Sequence, residues 1–546
     1  MDYVNIKLPF EAADSYYNQN TRDTIDQFIY LEESWFKKLF EPTTFYLLGP
    51  KGSGKTLYAA YMCTKKRNNT ISKQYRISVD DYGKLIEMKK NKHLQYTDYT
   101  TMWKVVLLQK FLFGIESNEI TWYKRRIKFT KLKATISKHF GNDVADDSFN
   151  PVSYIDSYEK QIEITKDIKH EASFNLGLNT FVGSLKSALG NNNRIQNTTD
   201  HKNTCTASIY TDTWMRSIIE FKKIIESISF NVNHYLFVDG LDVRPQSIDS
   251  KEYSECIGAL IRAVYEINTE IFGSINRKDK KEFKILALTR TDIFIGSQLV
   301  NATSLIHDNC VELNWSYSNE KEFQNSYLYK MINHILGWKE GNEVYPFEQY
   351  FGFVVKNRYG VDVDAATYIQ RQSRLRPRDI VVLLRLIQEE CKRRHLQNPD
   401  ATVLESSFFR SEYSIYYAEQ IRSEMMFRYS EKEIIKIFSI TTAFQKRSFM
   451  ENRFKEFFNN LVGEEDKTTE QITIFNDYHA FLDALYSLDI IGWREQKYRS
   501  RRMHWHYREI RAITEGQKLP WHLIEQAREV LFVVQDGVGR EIIGVD

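Results

Sequence analysis

The chain has 546 residues, 42% of them hydrophobic and 27% charged, the balance of an ordinary globular protein with room for about three to four domains. Its 75 basic and 72 acidic side chains leave a net charge of only +3, so any nucleic-acid contact has to rest on a local patch. The five cysteines are scattered, with no Cys-x-x-Cys or Cys/His spacing, and point to neither zinc nor a disulfide framework.

In chain order, the opening MDYVNIKLPFEAAD lacks the basic start and apolar core of a signal peptide, and no run approaches the ~18 apolar residues of a membrane span. A cytoplasmic protein without membrane contact is expected. Ile25, Phe28, Ile29, Leu31, Trp35, Phe36, Leu39 and Phe40 predict a helix over Thr24–Phe40, by analogy a segment beside a base pocket. Phe45-Tyr46-Leu47-Leu48 reads as a short buried strand and Leu57–Met62 as the first turns of a helix. Between them Gly49-Pro50-Lys51-Gly52-Ser53-Gly54-Lys55-Thr56 is a full match to G-x-x-x-x-G-K-[ST], and strand–loop–helix is the context that gives this motif meaning. Glycines at 49, 52 and 54 let the backbone wrap closely with N–H groups toward phosphate oxygens, and the helix dipole adds to the same site. Ser53 belongs to the same cradle; Lys55 suits the β- and γ-phosphates, and the Thr56 hydroxyl suits Mg²⁺. The cofactors expected are therefore ATP and Mg²⁺.

Gln74–Val79 predicts a second strand and Thr100–Phe113 a helix. Tyr123–Lys138 is basic, and a solvated helical face is favoured there over nucleic-acid contact. Residues 160–207 mix short alternating strands with a Gly190-Asn191-Asn192-Asn193 loop and read as an insertion on the core. An amphipathic helix over Trp214–Ser229 leads to the apolar strand His234–Asp239, continued by Gly240-Leu241-Asp242. A further helix carries Ile257, Leu260, Ile261, Val264 and Ile267. Strands at Phe283–Leu288 and Cys310–Trp315 close the series. Strands alternating with helices call for a parallel sheet covered on both faces. Beyond it, Arg374-Leu375-Arg376-Pro377-Arg378-Asp379 opens a helix through Ile380–Arg394. Further helices are predicted near Ile415–Arg428, Glu431–Ser439, Phe449–Leu461 and Tyr478–Leu488.

Asp239, ending an apolar strand, stands where a carboxylate would reach Mg²⁺. Asp242 is the nearest carboxylate able to orient the attacking water; the alternative is a cap on the turn. Thr289-Arg290 ends the next strand, where a polar group can sense the γ-phosphate, unless these residues only begin a loop. Arg376 and Arg378 can fold back onto the γ-phosphate from the next domain, or form an interdomain salt-bridge cluster with Asp379. Trp493–Arg511 holds seven Arg or Lys against two Glu among aromatic residues. As a wing hairpin it would offer Arg494, Lys497, Arg499, Arg501 and Arg502 to a phosphate backbone; a protein-docking surface or part of an all-α tail are the alternatives.

Taken together, Gly49–Thr56, Phe237-Val238-Asp239-Gly240-Leu241-Asp242, Leu288-Thr289-Arg290 and Arg376-Pro377-Arg378-Asp379, in that order, resemble bacterial P-loop ATPases of the AAA+/STAND type. The C-terminal region is similar to that of a family found near antiviral-defence genes. The resemblance implies an α/β P-loop NTPase core with a parallel sheet over 1–320, a helical lid over 321–400 and an α-rich winged-helix-like domain over 410–546. Carried over by position, it implies Lys55 and Thr56 on phosphate and Mg²⁺, Asp239 on the metal and Asp242 on the water. Arg290 would be the strand-end sensor, and Arg376 or Arg378 the lid sensor. The sequence departs from the STAND pattern at Val243, where an acidic residue is expected, and no Leu-Ser-Gly-Gly-like signature of ABC ATPases is present. The function expected is an ATP-driven conformational switch, binding nucleotide between core and lid, that controls self-assembly into a homo-oligomer or a separate effector protein in antiphage defence. A DNA-binding ATPase and a nucleotide-stabilised scaffold with little turnover are the alternatives.

Overall fold

A computed structural model describes residues 2–78, 98–116, 229–245, 248–275, 280–297, 301–317, 320–339, 344–357, 360–464, 477–495, 503–505 and 530–539, with a few isolated positions between them. The chain forms two compact units. One comprises Lys37–Leu48 and Met62–Val311; the other comprises Met1–Phe36, Gly49–Tyr61 and Glu312–Asp546.

The first unit is built on a five-stranded, all-parallel sheet of β1 (Tyr46–Leu48), β2 (Thr70–Arg76), β3 (Asn233–Asp239), β4 (Phe283–Thr289) and β5 (Cys310–Glu312), in the order β2-β3-β4-β1-β5. β1 and β4 are buried throughout and β3 from His234 onward, as unbroken apolar runs dictate for strands covered on both faces. β2, at the edge, instead alternates between buried and accessible residues. Leu48 lies opposite Thr289, Val238 opposite Ala287 and Arg76 opposite Asp239, so these strands end together at their carboxyl edge, where α/β folds bind ligands. α1 (Lys55–Thr64) follows the Gly-rich loop, and the loop and α1 as far as Tyr61 belong to the second unit. α2 (Asp98–Gly114) and α3 (Ser250–Glu266) pack on each other, α2 touching β3 and α3 touching β4. α3 starts where the Asp249 carboxylate accepts from Lys251 N and Glu252 N, and the predicted stripe Ile257, Leu260, Ile261 and Val264 is fully buried.

The second unit has one continuous core running from Tyr3 to Ile542. It contains α4 (Tyr327–Ile335), the hairpin β6 (Val354–Lys356) and β7 (Asp362–Asp364), α5 (Pro377–Arg393), α6 (Ser407–Met425), α7 (Glu431–Phe444), β8 (Ser448–Met450), α8 (Glu451–Glu464), α9 (Tyr478–Ser487), β9 (Ile491–Glu495) and β10 (Val530–Val534). The last three strands pair antiparallel in the order β8-β10-β9. α5 holds the N-terminal segment: Tyr3 OH donates to Leu384 O at 2.7 Å, and Gln388 Nε2 to Tyr3 O and Ile6 O at 3.1 and 2.8 Å. No described helix is long and apolar enough to cross a membrane.

Several elements differ from expectation. The helix predicted over Thr24–Phe40 is two short ones, Ile25–Phe28 and Glu33–Leu39. Between them Ile29 turns extended, and the Tyr58 hydroxyl both donates to Tyr30 O at 3.4 Å and accepts from Glu32 N at 3.3 Å. β2 begins at Thr70 rather than Gln74, because Asn68 and Asn69 adopt left-handed φ of 45° and 55° and turn the chain there. α6 begins well before Ile415, capped by Ser406. β5 ends at Glu312, short of Trp315. Phe449, predicted in a helix, lies in β8, and β6, β7 and β10 had no prediction. The insertion over 160–207 and nearly all of the basic stretch 123–138 lie outside the described residues, as does most of Trp214–Ser229.

Candidate phosphate-binding site

β1 delivers the chain into the loop Gly49–Ser53, and α1 starts at Lys55. Gly52 has φ +84°, a conformation that calls for glycine, and a Cβ there would also be tight, 3.1 Å from Arg378 Cβ. The loop's carbonyl oxygens are all engaged. Lys55 Nζ donates to Gly49 O and Pro50 O at 2.8 and 2.9 Å. Arg376 Nη1 donates to Lys51 O at 3.3 Å, Arg378 N to Gly52 O at 3.2 Å, and Trp315 Nε1 to Ser53 O at 2.8 Å. A loop whose carbonyls are held by protein donors keeps its negative ends away from an anion, which is what a nest of N–H groups requires. The Ser53 hydroxyl is buried with no hydrogen-bond partner among the described groups, a polar atom suited to a phosphate oxygen. Lys55 and Thr56 stand side by side at the start of α1, the former buried and the latter half-buried. The residues present therefore fit a triphosphate.

The arginines that open α5 are fixed by ionic contacts. Pro377 takes the first helical position and Arg376 the extended cap. Arg376 Nη1 lies 2.5 Å from Glu424 Oε1 and Nη2 2.6 Å from Asp489 Oδ2. Arg374 pairs with Asp379 at 3.3 Å and Glu424 at 2.9 Å, and its guanidinium sits 5.0 Å over the Tyr417 ring. The cluster with Asp379 thus exists, but its arginine is Arg374; Arg376 is joined to Glu424 and Asp489. Burial pushes the Asp379 carboxyl up, yet Arg374 and Arg376 outweigh it and hold it below its ordinary value. Arg378 is half-buried, with Nη1 3.5 Å from Gln420 Oε1. Lys51 Nζ bonds Ser423 Oγ on α6.

In the sheet unit, Asp239 is buried at the end of β3, where its Oδ1 accepts from Gly240 N at 2.8 Å. Its Oδ2 accepts from Gln74 Nε2 at 3.1 Å and lies 3.7 Å from Arg76 Nη2, both on β2. Gly240 has φ +90°, and a Cβ there would meet Ile77 O at 2.6 Å. Asp242 is half-buried in the following turn. That turn is held by the Tyr253 hydroxyl, which lies 3.4 Å from Leu241 O and 3.0 Å from Val243 O. Arg290 folds onto Asp292 in a two-point contact, Nε–Oδ1 2.9 Å and Nη2–Oδ2 2.6 Å. Beside it the Thr289 hydroxyl is buried without a partner among the described groups. β4 lies between β1 and β3, so Thr289 ends a strand flanked by the one that enters the loop and the one that carries Asp239.

Of the predicted basic patch, only Arg494 is described; it is half-buried on β9. Lys497, Arg499, Arg501 and Arg502 lie outside the described residues. Trp493 and His504 exchange backbone hydrogen bonds of 3.0 and 2.9 Å, and their rings stack at 4.2 Å. Sequence reasoning missed Trp315, Glu424, Asp489 and the β2 residues Gln74 and Arg76. Each is defined by a partner distant in the chain, and no local pattern marks it.

No family model matches the chain, and no curated protein and no solved structure matches it.

Proposed function

We propose that the protein binds ATP with Mg²⁺ and hydrolyses it as a conformational switch. The observation that carries this reading is the loop Gly49–Ser53, whose carbonyls are engaged by Lys55, Trp315, Arg376 and Arg378 in a strand–loop–helix setting. In this reading Gly49, Gly52, Ser53 and Gly54 cradle the phosphates, and Lys55 leaves its loop carbonyls for the β- and γ-phosphates. Thr56 and Asp239 hold Mg²⁺, which when bound neutralises phosphate charge. Asp242 orients the attacking water, and Arg290, released from Asp292, answers the γ-phosphate. Arg376 and Arg378 tie the loop to the C-terminal region. This resembles AAA+/STAND ATPases, and the switch would govern a homo-oligomer or a separate effector, as in antiviral defence.

Asp239→Asn should lose Mg²⁺-dependent turnover. Asp242→Asn should still bind ATP but turn it over at least ~100-fold more slowly, the size expected for a general base or water-orienting group. Single-turnover rates for Asp242→Asn equal to the parent's would assign the water to another residue, and a parent that binds no ATP would refute the reading as a whole.

A second reading, contact with DNA, has its own support. The order α7-β8-α8-α9-β9-β10 with the sheet order β8-β10-β9 supports a winged-helix-like reading of this region, in which Trp493 of β9 also pairs with His504. Duplex binding that falls steeply with salt, and weakens on charge reversal at Arg499, Arg501 and Arg502, is the expected result. Binding insensitive to both would remove DNA as a partner of this patch.

A further inference from the structure

We propose that Trp315 is a positioning residue for the phosphate-binding loop, its indole N–H holding the Ser53 carbonyl so that the loop meets phosphate already shaped. The inference deepens the ATP reading and rests on it. Three consecutive carbonyls, those of Lys51, Gly52 and Ser53, each accept from one donor in the segment 315–378: Arg376 Nη1, Arg378 N and Trp315 Nε1. Two of these donors come from the opening of α5, which Glu424 and Asp489 fix in place. Trp315 is independent of them. It lies just past β5, is buried, and its ring meets Trp35 edge-on at 5.1 Å and Tyr30 at 6.2 Å, so the indole has little freedom to turn. The bond it makes is the shortest of the three.

Ser53 stands at the most constrained point of the loop. Its hydroxyl is packed so closely on Gly49 that a Cβ at position 49 would come within 2.6 Å of it. Its N–H donates to Pro50 O at 3.2 Å. With the carbonyl held by Trp315, the Ser53–Gly54 peptide is fixed in orientation, and with it the direction of the Gly54 N–H. Releasing that carbonyl lets the peptide rotate. A loop that samples several shapes binds every phosphate ligand more weakly by the fraction of time spent in the competent one.

The test is a pair of variants at this position in the full chain. Trp315→Phe keeps an aromatic ring against Trp35 and Tyr30 but has no donor. A second variant carries β-(3-benzothienyl)alanine at position 315, which keeps the bicyclic shape and replaces only the N–H. Affinities for ATP, ADP and inorganic tripolyphosphate are measured at equilibrium, with the melting temperature of the nucleotide-free protein. The expected result is about a tenfold loss for all three ligands, by a common factor, in both variants. The benzothienyl variant should melt close to the parent. Parent-like affinities in the benzothienyl variant overturn the proposal, whatever the Phe variant does, because packing alone then explains the residue. A loss confined to ATP overturns it too, since loop shape serves every phosphate chain alike. If the parent binds none of the three ligands, the ATP reading itself fails. If the parent binds and Lys55→Ala loses binding while both position-315 variants match the parent, only this inference fails.

Discussion

Replacing Lys55 with alanine is expected to weaken ATP binding at least ~100-fold, or about 2.7 kcal/mol, while the protein remains folded. The ammonium group is a buried charge within the loop, resting on Gly49 O and Pro50 O at 2.8 and 2.9 Å. A triphosphate offers it charged oxygens in place of neutral carbonyls, and charge-assisted hydrogen bonds are roughly twice as strong as neutral ones. Alanine removes that exchange and takes the lysine donor from Gly49 O, while Pro50 O keeps the Ser53 N–H, a loss to the fold of about 1 kcal/mol. Alanine is also a good helix former at the first turn of α1. Equilibrium binding of ATP by the variant, set beside its thermal melting, separates the two effects. Unchanged affinity in a folded variant would refute the assignment of the loop.

Arg374→Ala is expected to be the most destabilising single change near the site, at about 3–5 kcal/mol, because it takes the charge partner from buried Asp379 and one of two arginines from buried Glu424. Arg374, Asp379 and Glu424 are all buried, and Arg374 bonds both carboxylates as well as stacking on Tyr417. Arg376 keeps a bond to Glu424, whereas Asp379 loses both bonds from the Arg374 side chain and keeps neutral donors, the Tyr416 hydroxyl at 2.8 Å and the residue-374 N–H at 3.1 Å. The loss is a large share of the stability of a typical domain, about 5–15 kcal/mol. Its pH dependence has a definite sign. The Asp379 carboxyl is held low by Arg374 and Arg376 against burial, so its contribution is present above the ordinary carboxylate pKa and is lost as pH falls through the lower folded value. The parent should therefore lose stability on acidification below the ordinary value. In Arg374→Ala burial prevails, Asp379 titrates higher, and this acid-dependent loss shrinks. Denaturant titrations of both proteins at several pH values decide it; parallel pH profiles would show that Asp379 does not depend on Arg374.

The site divides into a part visible in the amino-acid order and a part that is not. Gly49–Thr56, the apolar run ending in Asp239 and the strand ending in Thr289 are contiguous, so the residue types alone determine strand, loop and helix there. Likewise α3 and α5 follow from their apolar spacing, and Pro377 from its place at a helix start. What surrounds the loop does not follow in this way. Asp379, three positions from Arg376 and next to Arg378, suggested pairing among them. Only packing decided that Arg374 takes Asp379, while Arg376 reaches across 113 residues to Asp489. Trp315 to Ser53 spans 262 residues. The three-residue strands β6, β7 and β8 are too short to carry a period and become strands only through a partner's register. The amino-acid order by itself determined the Gly-rich loop between strand and helix and the strands that carry its candidate partners, because those depend on local backbone preference and contiguous burial. Which donors hold the loop's carbonyls, and which acids hold those donors, was decided by the tertiary structure alone, because a hydrogen bond between distant residues leaves no trace in the spacing of either.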